Sequence, residues 1–154
     1  MIGIGNPDRG DDAVGPLVAG GLAGSVPGDV PVLVRHGDLL SLIDDWAGFD
    51  GLVCVDAAAP RGRPGRISRI DLNSGELPRG GSPSSSHALD LAGTVELARA
   101  LRLAPREIIV YAIEGCCFER GACVSAPVAA AAREVAELVG AEIARMRSLR
   151  RAAG

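Results

Sequence analysis

The sequence predicts an α/β fold: a three-layer α/β/α sandwich around a mainly parallel, twisted central sheet of about five strands. Three observations carry this. Short apolar runs alternate with helical patterns along the whole chain, the order expected of a parallel sheet covered on both faces. Gly51 to Val55 is apolar without interruption, the mark of a strand buried on both sides. Arg66 to Asp71 instead alternates polar and apolar residues, as a half-exposed edge strand does. The chain has 154 residues and contains no internal repeat or linker, so one domain over 1–154 is expected.

The elements follow in order. Met1 to Ile4 reads as a first strand, shorter than the usual five or six residues. A Gly/Asn/Pro/Asp turn leads to a helix from Asp12 to about Ala23, with Asp11 as its candidate N-cap. Val30 to Arg35 is the second strand, and Asp38 is placed to cap a helix from Leu39 to Trp46. The buried strand and the edge strand come next. Asn73 to Ser86 is rich in Gly, Ser and Pro and is expected to be loop. Ser85 or Ser86 then caps a helix over about Ala88 to Leu101. Glu107 to Ile113 is the last strand, and Glu114 to Val124 is a Gly/Cys loop. Ser125-Ala126-Pro127 opens an Ala-rich helix to about Arg147, with Ser as cap and Pro in the first turn.

Composition narrows the function. A net charge of -3 argues against nucleic acid and anionic membrane as partners. The cluster Arg145, Arg147, Arg150 and Arg151 is expected to complement the last helical turn and a frayed tail. No apolar stretch approaches the roughly 18 to 20 residues that cross a bilayer, and no export signal is expected. The chain is therefore expected in the cytoplasm, with its four cysteines as reduced thiols.

In open α/β sheets, ligands sit beyond the carboxyl ends of the strands. Three segments place polar residues there: Gly5 to Asp12, Asp56 to Ala59, and Ser84 to His87. Asp56 ends an apolar strand, where an ionised carboxylate is costly unless paired or metal-bound. Asp12, Asp56 and His87 together offer oxygens and one imidazole, a set suited to Ni²⁺ or Zn²⁺ with positions left open. Plainer roles compete: helix capping for Asp11 and Asp12, a turn residue for Asp56, an inert helix start for His87. Gly3-x-Gly5 lacks the third glycine of a dinucleotide fingerprint, since Asp8 stands there and would repel a pyrophosphate. Ser84-Ser85-Ser86-His87 lies in no nucleophile elbow. Cys116, Cys117 and Cys123 are read as loop thiols, and Cys54 as core.

One resemblance ties these segments together. Gly3-Ile4-Gly5-Asn6-Pro7-Asp8-Arg9-Gly10-Asp11-Asp12-Ala13-Val14-Gly15 is similar to the opening signature of the hydrogenase maturation proteases. The likeness continues at His36-Gly37-Asp38-Leu39-Leu40, Val53-Cys54-Val55-Asp56-Ala57 and Ser85-Ser86-His87-Ala88-Leu89, and ends at Ser125-Ala126-Pro127-Val128. Ala13 stands where the family often has glycine, and the three-cysteine loop is not a family feature.

The resemblance implies a metal-assisted endopeptidase that removes the C-terminal extension of a nickel-loaded [NiFe]-hydrogenase large-subunit precursor. It implies Asp12, Asp56 and His87 as both metal ligands and catalytic residues. Ni²⁺ is expected to arrive in the precursor, with Zn²⁺ or Cd²⁺ substituting in vitro. A non-hydrolytic nickel-sensing chaperone and a nucleotide- or phosphate-binding domain are the alternatives.

Overall fold

The computed structural model describes residues 1–36, 40–73 and 86–153, the side chains of 86–90 and 153 excepted. Five strands form one sheet: β1 (Ile2–Ile4), β2 (Leu33–Arg35), β3 (Gly51–Ala58), β4 (Ile67–Asp71) and β5 (Glu107–Glu114). Their order is β2-β1-β3-β5-β4. All neighbours pair in parallel except β4, which lies antiparallel on β5 at the edge, with Ile67 opposite Ile113. The helices are α1 (Val14–Leu22), α2 (Leu42–Trp46), α3 (Ser86–Ala100) and α4 (Ala126–Ala153), and a 3-10 turn over Gly10–Ala13 precedes α1. Among the described residues, no helix is long and apolar enough to cross a membrane.

Alternation along β3 divides the core. Val53, Val55 and Ala57 face a layer built from Val14, Val18 and Leu22 of α1 with Val128, Val135 and Val139 of α4. Leu52 and Cys54 face the other layer, where Leu42 and Trp46 of α2 meet Leu91, Val95 and Ala98 of α3. A strand covered on both sides has no water-facing positions, which is why its sequence is apolar throughout.

Helix α1 can approach the sheet closely because residue 15 has no side chain. A Cβ there would lie 2.2 Å from the Ile4 carbonyl oxygen and 2.6 Å from that of Val55. Gly15→Ala must therefore push α1 off the sheet, and overpacking of this kind costs about 1–3 kcal/mol. A denaturant titration should show a lower midpoint with an unchanged slope; an unaltered midpoint would mean that α1 does not rest on these two carbonyls.

Several boundaries differ from the sequence expectation. β2 begins at Leu33 rather than Val30: Pro31 has no N–H to give a ladder, and its carbonyl instead accepts from the Met1 amino group at 2.7 Å. β3 and β5 run on to Ala58 and Glu114 because their parallel register holds over eight pairs. α2 spans only Leu42–Trp46, and its expected cap, Asp38, lies outside the described residues. So does most of the expected loop from Asn73 to Ser86. The expected frayed tail is instead helix through to Ala153. Its arginines reach outward: Arg147 to Asp29, Arg145 to Glu142 and Glu107, and Arg150 to Asp50 at 3.2 Å.

Candidate functional site

The strand order contains a reversal that creates a crevice. From β1 the chain passes through α1 to β2 on one side, then returns to β3 on the other. The carboxyl ends of β1 and β3 thus flank a topological switch point, where α/β sheets bind ligands. Asp12 follows β1 and Asp56 is the sixth residue of β3, so both acids stand at this point.

The turn after β1 is built to hold Asp12. Gly5 has a φ of +131°, and a Cβ there would fall 1.9 Å from the Asp12 carbonyl oxygen. Asn6 then donates its backbone N–H to Asp12 Oδ2 at 3.0 Å, while its own side-chain oxygen accepts from the Asp8 N–H at 2.9 Å. Asp12 is only 8% exposed.

Asp56 is deeper, at 2% exposure. Its Oδ1 accepts the Ala57 N–H at 2.8 Å, which fixes the side chain at the strand's end. Burial pushes its carboxyl up to about 7; the Ala57 N–H pulls down against this, and the nearby Asp12 charge adds to the rise. By strand alternation it shares the face of Leu52 and Cys54, on which α3 packs. His87 is the second residue of α3. That helix leads into the amino end of β5, so its first turn stands at the same carboxyl edge of the sheet as the two acids. The His87 side chain lies outside the described residues. Among the described residues, no three His, Cys, Asp or Glu side chains gather at metal-binding reach.

Asp11 has a different role from the N-cap expected of it. The 3-10 turn at Gly10–Ala13 moves the start of α1 to Val14, and no side chain caps either element. The Asp11 carboxylate, fully buried, turns across the molecule to the loop between β5 and α4. Its Oδ2 accepts the N–H groups of Cys116 (2.8 Å) and Cys117 (3.1 Å) and the Ser125 hydroxyl (3.0 Å). Its Oδ1 accepts the Ser125 N–H at 2.7 Å. Burial alone would raise its pKa, but these four donors outweigh it and hold the carboxyl below the usual range. Ser125, expected as a cap of α4, spends its hydroxyl on this clamp instead. The available signal was a loop ending in several N–H groups with no acceptor of its own.

The four cysteines lie where the sequence put them, Cys54 in the core and the others on the loop after β5. All four are free, and burial pushes the Cys54 thiol up to about 12. Cys116 and Cys123 are exposed on the loop that Asp11 anchors.

Comparison with known proteins gives the family and the fold. The family model described as HycI, hydrogenase maturation protease, matches residues 37–142. The chain belongs to that family. It is therefore a peptidase of the hydrogenase maturation class. Its fold matches the hydrogenase maturating endopeptidase HybD from E. coli with a TM-score of 0.76 at 19% identity, covering 94% of this chain and 91% of that one. The [NiFe] hydrogenase maturation protease HycI from Thermococcus kodakarensis matches at 28% identity and a TM-score of 0.72, over 90% of this chain and 87% of that one. HybD from the same organism gives a TM-score of 0.72 at 21% identity, over 90% and 93%. Comparison with curated proteins gave no significant sequence match.

Proposed function

We propose that this hydrogenase maturation protease is a nickel-dependent endopeptidase. In this reading it cuts the C-terminal extension from a nickel-loaded [NiFe]-hydrogenase large-subunit precursor in the cytoplasm, with Asp12, Asp56 and His87 as the residues that meet the metal. The observation that carries it is the pair of acids at the switch point, one of them almost wholly buried. Two close carboxylates under little solvent repel one another, and a divalent cation between them relieves that repulsion. Hard oxygens with one imidazole suit Ni²⁺, and Zn²⁺ or Cd²⁺ as substitutes, while leaving positions open to substrate.

Nickel in this scheme is part of the substrate, delivered inside the precursor. Bound there it polarises the scissile carbonyl or the attacking water. The chain's own residues do the rest. The Asn6 and Ala57 N–H groups hold the two carboxylates in fixed orientations. One carboxylate takes a proton from water as its oxygen bonds to the carbonyl carbon. That proton then goes to the departing amine as the C–N bond breaks.

The test is mass spectrometry of the precursor's C-terminus after incubation with the wild type and with Asp12→Asn, Asp56→Asn and His87→Gln. The wild type should release the extension, and each folded variant should leave it attached. Processing by all three variants would refute the ligand assignment. Nickel-dependent association without any cleavage by the wild type would favour a nickel-sensing chaperone.

A further inference from the structure

Every cation of this chain is an arginine: sixteen Lys plus Arg, with no lysine in the sequence. Three of them, Arg61, Arg63 and Arg66, fall in the short connection between β3 and β4, and all three are exposed. That connection leaves β3 just beyond Asp56, at the carboxyl edge of the sheet.

The loop is built rather than loose. Glu114, buried at the end of β5, accepts the N–H groups of Arg61 (2.6 Å) and Arg63 (2.7 Å) on its Oε1. Its backbone closes the other end: the carbonyl accepts the Gly65 N–H at 2.7 Å, and its N–H donates to the Arg66 carbonyl at 2.9 Å. Gly65 also packs against Pro127 in the first turn of α4. The carboxylate under the loop thus holds backbone, and the Arg63 and Arg61 N–H groups, joined by the Arg66 and Arg61 charges near it, keep its carboxyl below the usual range. Two more exposed arginines continue the rim, Arg9 and Arg120, on loops joined by Gly121 N–H to the Asp8 carbonyl (2.7 Å) and Gly10 N–H to the Ala122 carbonyl (3.2 Å). On the same three connections the exposed acids are Asp8 and Glu119. An acidic chain therefore gathers guanidinium groups around one site, on a preorganised support. Arginine's planar fork matches carboxylates in a way that lysine does not.

We propose that this arginine rim, formed by Arg61, Arg63 and Arg66 with Arg9 and Arg120, docks an acidic peptide stretch of the precursor and so brings the scissile bond over Asp12 and Asp56. The inference rests on the proposed function. Rim charges of this kind act on encounter and register, so they raise affinity for the client without entering the chemical step.

The experiment uses two fluorescein-labelled peptides of about a dozen residues, one of Glu and Gly and one of Gln and Gly, with fluorescence anisotropy at low salt. The Glu peptide should bind about tenfold more tightly than the Gln peptide, and its affinity should fall as salt rises. R61E/R63E/R66E should lose about tenfold in affinity, and R61Q/R63Q/R66Q should fall between, with thermal midpoints showing that both fold. Equal binding of the two peptides, or undiminished binding by both folded triple variants, overturns the proposal. With precursor as substrate, charge reversal should raise KM and leave kcat alone, whereas Asp56→Asn should abolish cleavage yet bind the Glu peptide as the wild type does. If the wild type cleaves no precursor while the peptide results hold, the proteolytic reading falls and the rim stands. If the precursor is cleaved with an unchanged KM by the reversed variant, the rim alone falls.

Discussion

Asp56→Asn is expected to give a protein that is more stable without metal and yet inactive. The folded carboxyl has its pKa raised to about 7 from 3.8, chiefly by burial. The native state therefore holds a proton more tightly than the unfolded chain. Stability conferred by the protonated form is fully present below about pH 4, is lost as pH rises from there to about 7, and stays lost above. That interval corresponds to about 4 kcal/mol if nothing relaxes. Asn keeps an oxygen for the Ala57 N–H and carries no charge. In metal-free protein at pH 8 the variant should therefore gain about 2–4 kcal/mol over the wild type, and the gain should vanish near pH 4. Processing should fall by about a hundredfold or more if Asp56 meets the metal as proposed. Paired denaturant titrations at the two pH values, with a processing assay, check both halves. A wild type whose metal-free stability does not change over that range would show that Asp56 is not held as described. Such a trade of stability for activity is usual where a fold stores an unfavourable charge for use.

Asp11→Asn should do the reverse, damaging the fold while leaving every proposed metal ligand in place. The carboxylate accepts four hydrogen bonds from residues 116, 117 and 125. An amide turns one acceptor oxygen into a donor facing N–H groups, so buried donors lose their partner. Loss of a charge-assisted, buried set of this size costs about 3–5 kcal/mol. Because the folded pKa lies below the unfolded one, this stabilisation is present above about pH 4 and fades as pH falls through the folded value. Amide exchange at Cys116, Cys117 and Ser125 should accelerate in the variant before the sheet amides do. Unchanged protection at those three positions would show that the loop is held by something else.

The neighbouring acids illustrate how much of the molecule is legible in its sequence. Asp56 could be singled out because a charged residue closing an apolar run conflicts with its surroundings, and that conflict is local. Its companion Asp12 shared a segment with Asp11, and local sequence offered the same capping role to both. What separates them is tertiary: Asp11's partners stand more than a hundred residues away, and no periodicity encodes them. The layered fold was legible because burial on two faces imposes an apolar run on β3, whereas β4, at the sheet's edge, is largely polar and only partly buried. The ends of elements were less so. β2 yielded to Pro31, whereas α4 continued past its apolar stripe, where Arg147 and Arg150 pair with Asp29 and Asp50. Glu114 was assigned to a loop; in the structure it ends a strand and organises the turn opposite.

Strand order also bears on how the enzyme emerges during synthesis. β4 is made some forty residues before β5, its one sheet neighbour among the described residues, and the clamp on Asp11 needs residues 116 to 125, made later still. A nascent chain that stops before β5 has an unsatisfied edge and an unanchored opening turn. Competence to cut is thus withheld until the segment through Ser125 has left the ribosome, and fragments that stop short of it should carry none of it.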